Sequence, residues 1–326
     1  MARRVDLRLI SKVSKLYYHQ NLTQQEIADK LHISRPKVSR LLQQALEEGI
    51  VQITVFTPLG SHADLEEQLE SYYGLKETIV VDVVDPENPE VVARELGSVA
   101  AGYFQRTLRD GDIIGISWGK TLNAMVNSIQ PQETKGIHVV QMIGGIDMPE
   151  VEVHATSLSR RLAQLIGSSL SLLHAPGIVD NLETKLALFS DSHMQRVLEM
   201  FERINVAYVG IGTPNRGSFM RTHNAILSDE SLDYLSSLGA VGDIALRFFD
   251  QNGWPVRSDI DDRVIGISID QIRDIQHVVG VAGGPDKEHV IRGALRGGLI
   301  DVLITDFRTA ELLVKEIIEE MKDSAV

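Results

Sequence analysis

Thr23-Gln-Gln-Glu-Ile-Ala-Asp-Lys-Leu-His-Ile-Ser-Arg-Pro-Lys-Val-Ser-Arg-Leu-Leu42 reads as a helix-turn-helix. Ile27, Leu31, Ile33, Val38 and Leu41 are apolar where two short helices crossing at a tight turn must bury side chains, and small Ala28 permits close approach. Ser34 is placed to cap the second helix through its hydroxyl, and Pro36 falls in the first turn, where its missing N–H costs nothing. The exposed face of that helix presents Arg35, Lys37, Ser39, Arg40 and Gln43, donors suited to base edges and phosphates in a major groove. With Thr23, Gln24, Ser34 and Pro36, these are the expected DNA-binding residues. Gly49 and the alternating run Ile50-Val-Gln-Ile-Thr-Val55 predict a short strand, the wing of a winged helix-turn-helix.

Outward from this stretch, Val5 to His19 predicts a first helix whose stripe of Leu9, Ile10, Val13, Leu16 and Tyr17 packs on the pair. Thr57-Pro-Leu-Gly60 then breaks the chain. The domain boundary is expected there, with a DNA-binding domain over 1–57 and a larger domain over 58–326. Ser61 is the expected cap of a helix from Ala63 to Tyr73 carrying Leu65, Leu69, Tyr72 and Tyr73, ended by Gly74. That helix is either a contact between subunits or the first element of the body.

Charge is unevenly distributed along the 326 residues. Residues 1–60 hold nine Lys and Arg against five Asp and Glu, a net of +4, whereas the remainder holds 23 against 40, a net of −17. A basic head on an acidic body fits a protein that meets nucleic acid only through its head. Zero cysteines exclude disulfides, thiolate catalysis and cysteine-ligated metal centres. No signal-like leader and no run of eighteen or more apolar residues occurs, so a cytoplasmic protein without membrane contact, cofactor or metal is expected.

From Thr78 onward, β-branched runs alternate with helical stretches, the pattern of a parallel sheet covered on both faces. The predicted strands are Thr78–Val83, Asp112–Ser117, Ile137–Met142, Leu170–His174, Val206–Ile211, Ile244–Phe249, Val278–Ala282 and Val302–Thr305. Ligands of such sheets bind beyond the carboxyl ends of the strands, where four loops stand out. Gly115-Ile-Ser-Trp-Gly-Lys-Thr-Leu122 carries a strand through a glycine turn into a helix start, an arrangement that favours an anion. It differs from a Walker A loop because only three residues separate Gly115 from Gly119, so a phosphate monoester suits it better than a nucleoside triphosphate. The others are Gly144-Gly145, Gly210-Ile-Gly-Thr-Pro214 and Ala282-Gly-Gly-Pro-Asp-Lys287, the last bringing an ammonium beside amide donors. Gly242-Asp243 adds a carboxylate suited to sugar hydroxyls. Asp147, His154, His174 and Asp306 offer acid–base groups near loops, but at no spacing diagnostic of catalysis.

Leu16-Tyr-Tyr18, Leu22-Thr-Gln-Gln-Glu-Ile-Ala28, Ile33-Ser-Arg-Pro-Lys-Val-Ser-Arg-Leu-Leu42, Gly119-Lys-Thr121, Ala240-Val-Gly-Asp-Ile244, Phe249-Asp250, Val281-Ala-Gly-Gly284 with Lys287, and Leu303-Ile-Thr-Asp306 together resemble the SorC family of sugar-binding bacterial transcriptional regulators. The similarity runs over nearly the whole chain. It implies an α/β protein: an N-terminal winged helix-turn-helix, then a Rossmann-like effector domain similar in fold to sugar-phosphate isomerases and deaminases. It further implies a dimeric or tetrameric regulator, a repressor by preference, whose partners are operator DNA and a phosphorylated sugar. The alternative is a sugar-phosphate isomerase or deaminase with a fused DNA-binding head. Carried over by the resemblance, Ser117, Trp118, Gly119, Lys120 and Thr121 surround the effector and Gly144, Gly145, Gly212, Gly283 and Gly284 line it. Asp243 binds its hydroxyls and Lys287 its phosphate. Asp180-Asn-Leu-Glu-Thr-Lys185 and Arg247-Phe-Phe-Asp250 are similar to the deoxyribonucleoside-operon branch. That branch is expected to carry a Schiff-base lysine just before the double glycine, and Ile143 stands there instead.

Overall fold

A computed structural model of the chain describes residues 7–52, 61–145, 155–214 and 227–323. It divides into two units, Met1–Leu59 and Gly60–Val326.

In the head, α1 (Leu7–Ser14) continues into a π-helical turn, Lys15–His19, and is followed by α2 (Gln24–Leu31) and α3 (Arg35–Glu47). Val13, Leu16, Ile27, Ala28, Val38 and Leu42 form its core, and both α1 and α2 pack on α3. Helix α2 starts in a capping box: the Glu26 N–H donates to Thr23 Oγ1 at 3.3 Å and the Thr23 N–H to Glu26 Oε2 at 2.8 Å. His32 ends α2 in the left-handed conformation, which sets the turn into α3. Ser34 occupies the N-cap of α3 in extended conformation, yet its side chain makes no capping bond, contrary to the sequence expectation. The pre-set φ of Pro36 supplies the helix start instead. Of the expected first helix, Val5 and Asp6 lie outside the described residues. Of the expected wing, Ile50 and Val51 form a bend rather than a strand, and 53–55 lie outside the described residues.

The body begins with α4 (Ala63–Tyr73), whose N-cap position is held by His62 rather than Ser61, without a side-chain capping bond, and whose C-terminus is capped by Gly74. It then runs β1 (Glu77–Val81), α5 (Pro89–Thr107), β2 (Ile113–Ile116), α6 (Lys120–Ser128), β3 (His138–Gln141), α7 (Ala155–Leu165) and β4 (Ser169–Ser171). There follow α8 (Leu182–Phe189), α9 (Ser192–Phe201), β5 (Val206–Val209), α10 (Asp229–Ser237), β6 (Gly242–Ile244) and β7 (Arg247–Phe249). The chain closes with α11 (Asp259–Arg263), α12 (Ile269–Asp274), β8 (His277–Val281), α13 (Glu288–Arg296), β9 (Val302–Asp306) and α14 (Phe307–Asp323).

Seven strands form one parallel sheet in the order β1-β9-β8-β5-β2-β3-β4. Strand residues alternate between two cores: Ile114, Ile116, Tyr208, Val279 and Ile304 face α5, α6 and α7, while Ala207, Val209, Val278 and Leu303 face the opposite layer. Helix α4 protects the open edge at β1, where Glu70 Oε1 and Glu66 Oε1 accept the outward N–H groups of Thr78 and Val80 at 2.6 and 2.9 Å. It therefore serves as part of the body. Among the described residues no helix is long and apolar enough to cross a membrane.

One predicted strand is corrected. Ile244–Phe249 does not join the sheet; β6 and β7 form an antiparallel hairpin, with Ala245 and Leu246 at φ 53° and 62°. Both its strands are buried throughout, so the apolar run carries no periodicity to separate a sheet strand from an inserted hairpin. His174 differs as well: β4 is a three-residue edge strand that ends before it, leaving His174 exposed.

Candidate functional site

On the head, Ser34, Arg35, Pro36, Lys37, Ser39, Arg40 and Gln43 are all exposed, opposite buried Val38 and Leu42. Gln43 Nε2 donates to Glu47 Oε1 at 3.0 Å and Arg40 Nε lies 3.4 Å from the Pro36 carbonyl, which lays both side chains along α3. Thr23, Gln24 and Arg35 line one groove together with Tyr17, Tyr18 and Asn21. The two tyrosines and Asn21 are the residues that sequence reasoning missed here. Tyr17 reads as part of the packing stripe, and Tyr17 and Tyr18 lie in the π-helical turn.

In the body, chain order reverses between β2 and β5: from β2 the sheet is built outward to β3 and β4, and from β5 outward to β8 and β9. The loops after β2, β5 and β8 therefore meet over one crevice, the usual ligand position of a doubly wound sheet. The Ser117 N–H donates to the Tyr208 carbonyl at 3.1 Å, and Ser117 Oγ accepts from the Gly210 N–H at 3.3 Å, which locks the first two loops together. Gly119 precedes α6 at φ 131° and ψ 162°, a backbone essentially restricted to glycine. The N-cap residue, Gly119, has no side chain to cap that helix, so its first N–H groups and the exposed Lys120 stand at the crevice, with Trp118 buried and Thr121 half-buried beside them.

The hairpin enters the crevice from its other side. Asp243 exchanges backbone bonds with Gly212, at 2.8 and 3.2 Å, and its carboxylate lies against the Gly212 α-carbon. A side chain there would place its β-carbon 1.9 Å from Asp243 Oδ1. Asp243 Oδ2 accepts the Leu246 N–H at 3.1 Å, whereas Oδ1 is buried without a partner. Lys287, at the N-cap of α13, is half-buried as a residue and turns its ammonium inward onto the Ile211 carbonyl at 2.8 Å. Burial pushes the Asp243 carboxyl up to about 6, opposed by the Leu246 N–H bond and the Lys287 charge. Burial likewise brings the Lys287 ammonium down to about 8, opposed by Asp243. An orphan acceptor and an enclosed cation thus lie close enough to feel each other's charge.

Asp243, with its raised folded pKa, is ionised at a cost that grows as pH rises from its unfolded value near 4 through about 6, on the order of 2 to 3 kcal/mol. Lys287, with its lowered pKa, is charged at a cost fully present below about 8 and relieved above it. Asp243→Asn is therefore expected to gain stability relative to the parent between pH 4 and 6. Thermal midpoints measured across that range check it, and parallel curves for the two proteins contradict it.

The remaining predicted residues hold the loops. The Gly284 N–H is committed to Asp306 Oδ2 at 2.6 Å, and Asp306 also accepts from Thr309 N–H and Oγ1, at 2.9 and 2.6 Å. Asp306 is thereby a brace of the Gly283-Gly284 turn and not a free acid–base group. The Gly144 N–H donates to the Ile265 carbonyl at 2.8 Å, and the Gly145 carbonyl accepts from Gly177 at 3.0 Å, so the double glycine serves close backbone packing. Ile143 is buried and bridges Gly266. Asp147 and His154 lie outside the described residues, among which no cluster of His, Asp or Glu suits a metal ion.

Residues 57–315 match the family model described as "Putative sugar-binding domain", and residues 12–48 match that of sigma-70 region 4. The deoxyribonucleoside regulator of Bacillus subtilis is 36% identical over 313 residues, covering 94% of this chain and 97% of that protein. The sorbitol operon regulator of Klebsiella pneumoniae is 34% identical over 312 residues, covering 95% and 98%. The crystal structure of full-length SorC from Klebsiella pneumoniae superposes with a TM-score of 0.72 at 31% identity, over 95% of this chain and 100% of that one.

Proposed function

Because the chain belongs to the SorC family of sugar-binding transcriptional regulators, we propose that it represses a carbohydrate-catabolism operon and is controlled by a phosphorylated sugar held at the Asp243–Lys287 crevice. Its relatives are named regulators of sugar operons, and it joins a helix-turn-helix head to a sugar-binding body. Residues 1–57 contact the operator through α3, and 58–326 bind the effector and assemble the subunits, as a dimer or tetramer in the cytoplasm.

The observation that carries the effector reading is the buried, unpartnered Asp243 Oδ1 beside the inward-turned Lys287. A sugar hydroxyl supplies the missing donor to Asp243, and a phosphate dianion meets both the Lys287 ammonium and the uncapped N-terminus of α6. Binding is non-covalent, since Ile143 replaces the amine expected before the double glycine. With Asp306 committed to the loop, a sensing role suits these residues better than turnover. The sugar phosphate stabilises one arrangement of subunits and so changes the spacing of paired heads along the DNA. Among phosphorylated pentoses, hexoses and polyols, at least one is expected to raise the thermal midpoint, with its unphosphorylated form inert. Equal stabilisation by both forms contradicts the phosphate assignment.

For the head, Arg40→Ala is expected to weaken operator binding by about 1 to 3 kcal/mol, the value of a bidentate base contact. Gel-shift titration checks it. Unchanged affinity of the triple variant Arg35→Ala, Lys37→Ala, Arg40→Ala removes α3 as the reading element.

A further inference from the structure

Helix α8 is apolar in five of its eight residues, yet none of the eight is buried. Leu182 and Leu186, one turn apart on one face, are 46% and 59% exposed. A helix this apolar is ordinarily covered, by its own core or by another surface. Beside it lies an open groove of about 670 Å³ between the edge strand β4 and α9, lined on its apolar side by Leu170, Leu172, Leu188, Met194, Val197 and Met200. The two margins of the sheet differ. At β1 the outward N–H groups are taken up by α4, whereas β4 ends the sheet with no further strand beyond it among the described residues.

Charge also sets this face apart. Residues 61–326 carry a net −17, but α8 and α9 hold Glu183 and Glu199 against Lys185 and Arg196 and are together neutral. Two acidic bodies meet less repulsion here than over the rest of their surface. Arg196 and Arg203 line the groove, and among the described residues neither they nor Glu183 makes a salt bridge: Arg196 Nη2 lies 2.5 Å from His193 Nδ1 and Arg203 Nη1 3.6 Å from Met200 Sδ. Asp191, a carboxylate of the groove, is committed to its own helix, its Oδ1 accepting the N–H groups of His193 and Met194 at 2.9 and 3.1 Å.

We infer that this face is a contact between two copies of the chain, with α8 of each copy seated in the β4–α9 groove of the other. The inference rests on the assembly proposed above and names its surface. A two-fold contact uses the same patch on both subunits, so the patch must carry both the projection and the hollow that receives it. Leu182 and Leu186 are the projection, and Met194 and Met200 give the hollow a lining that adapts to branched side chains. Glu183 of the partner subunit meets the unpaired Arg196 and Arg203 at the rim, which supplies the charge complementarity that a second copy needs.

The test is sedimentation of the full chain beside the double variant Leu182→Glu, Leu186→Glu. Both residues are exposed in the single subunit, so the variant keeps its fold, which circular dichroism verifies. The parent is expected as a dimer or tetramer and the variant at half the parent's mass. Because the chain has no cysteine, Leu186→Cys offers one alkylation site. Its reaction is expected to quicken about tenfold or more when the exposed groove arginines are reversed as Arg196→Glu and Arg203→Glu, since like charges then face Glu183. Parent mass retained by the double variant, or an alkylation rate indifferent to the arginine reversals, overturns the inference alone. A parent that sediments as a single subunit overturns the assembly reading together with it.

Discussion

Replacement of Arg247 by alanine is expected to destabilise the body by about 3 to 5 kcal/mol. Its side chain is 7% exposed and serves four acceptors: Nε donates to the Ile267 carbonyl at 2.7 Å and Nη2 to the Gly266 carbonyl at 3.1 Å, while Nη1 meets both the carbonyl and the carboxylate of Asp261 at 2.9 Å. Asp261 is partly solvated, so the loss comes mainly from buried carbonyls left without donors and from the space vacated. The damage spreads because the same segment pairs elsewhere: Gly266 bridges Ile143, Ile265 accepts from Gly144, and Val264 bridges Ile178. Arg247 is thus the tie between the hairpin bearing Asp243 and the loops after β3 and β4. Arg247→Lys should recover only part of the loss, since one ammonium cannot reproduce the planar fork. Denaturant unfolding measures both variants, and a loss below about 1 kcal/mol for the alanine variant contradicts this role.

Lys287→Ala is expected to abolish the response to the effector while leaving operator binding intact. Among the described residues the ammonium is the one cation in the crevice that is both enclosed and turned inward, and loss of a charge-assisted bond to phosphate costs roughly 1.5 to 3 kcal/mol. The variant is relieved of an ammonium held below its ordinary pKa by burial but leaves the Ile211 carbonyl without its donor and Asp243 without a neighbouring cation, so its effector-free thermal midpoint is to be measured alongside. A drop in affinity without a drop in stability separates ligand binding from structural support.

How much of this was legible in the sequence depended on whether neighbouring residues obeyed one local rule. The helix-turn-helix was legible because capping, turn and apolar spacing agree across Thr23–Leu42. Six of the seven sheet strands were legible as β-branched runs, the edge strand β4 only as a short apolar stretch, and the loops after β2, β5 and β8 were marked by glycines at strand ends. Phe248 and Phe249 gave no such sign, because a hairpin buried on all sides has no polar face to mark its turn. The turn itself uses Ala245 and Leu246 at positive φ, where glycine or asparagine would have announced it. Roles that depend on distant partners were equally hidden. Asp306 reads as an acid–base group near a loop until Gly284 is brought to it from 22 residues away, and nothing local to Arg247 shows that residues 261–267 enclose it.

The most direct test of the account is operator release, followed by gel shift with parent and Lys287→Ala protein, as the stabilising sugar phosphate is titrated. The expected result is that both proteins occupy the operator with equal affinity and only the parent is released, by the phosphorylated sugar and not by its unphosphorylated form. Release of Lys287→Ala at the same effector concentration as the parent would contradict the assignment of the crevice as the phosphosugar sensor.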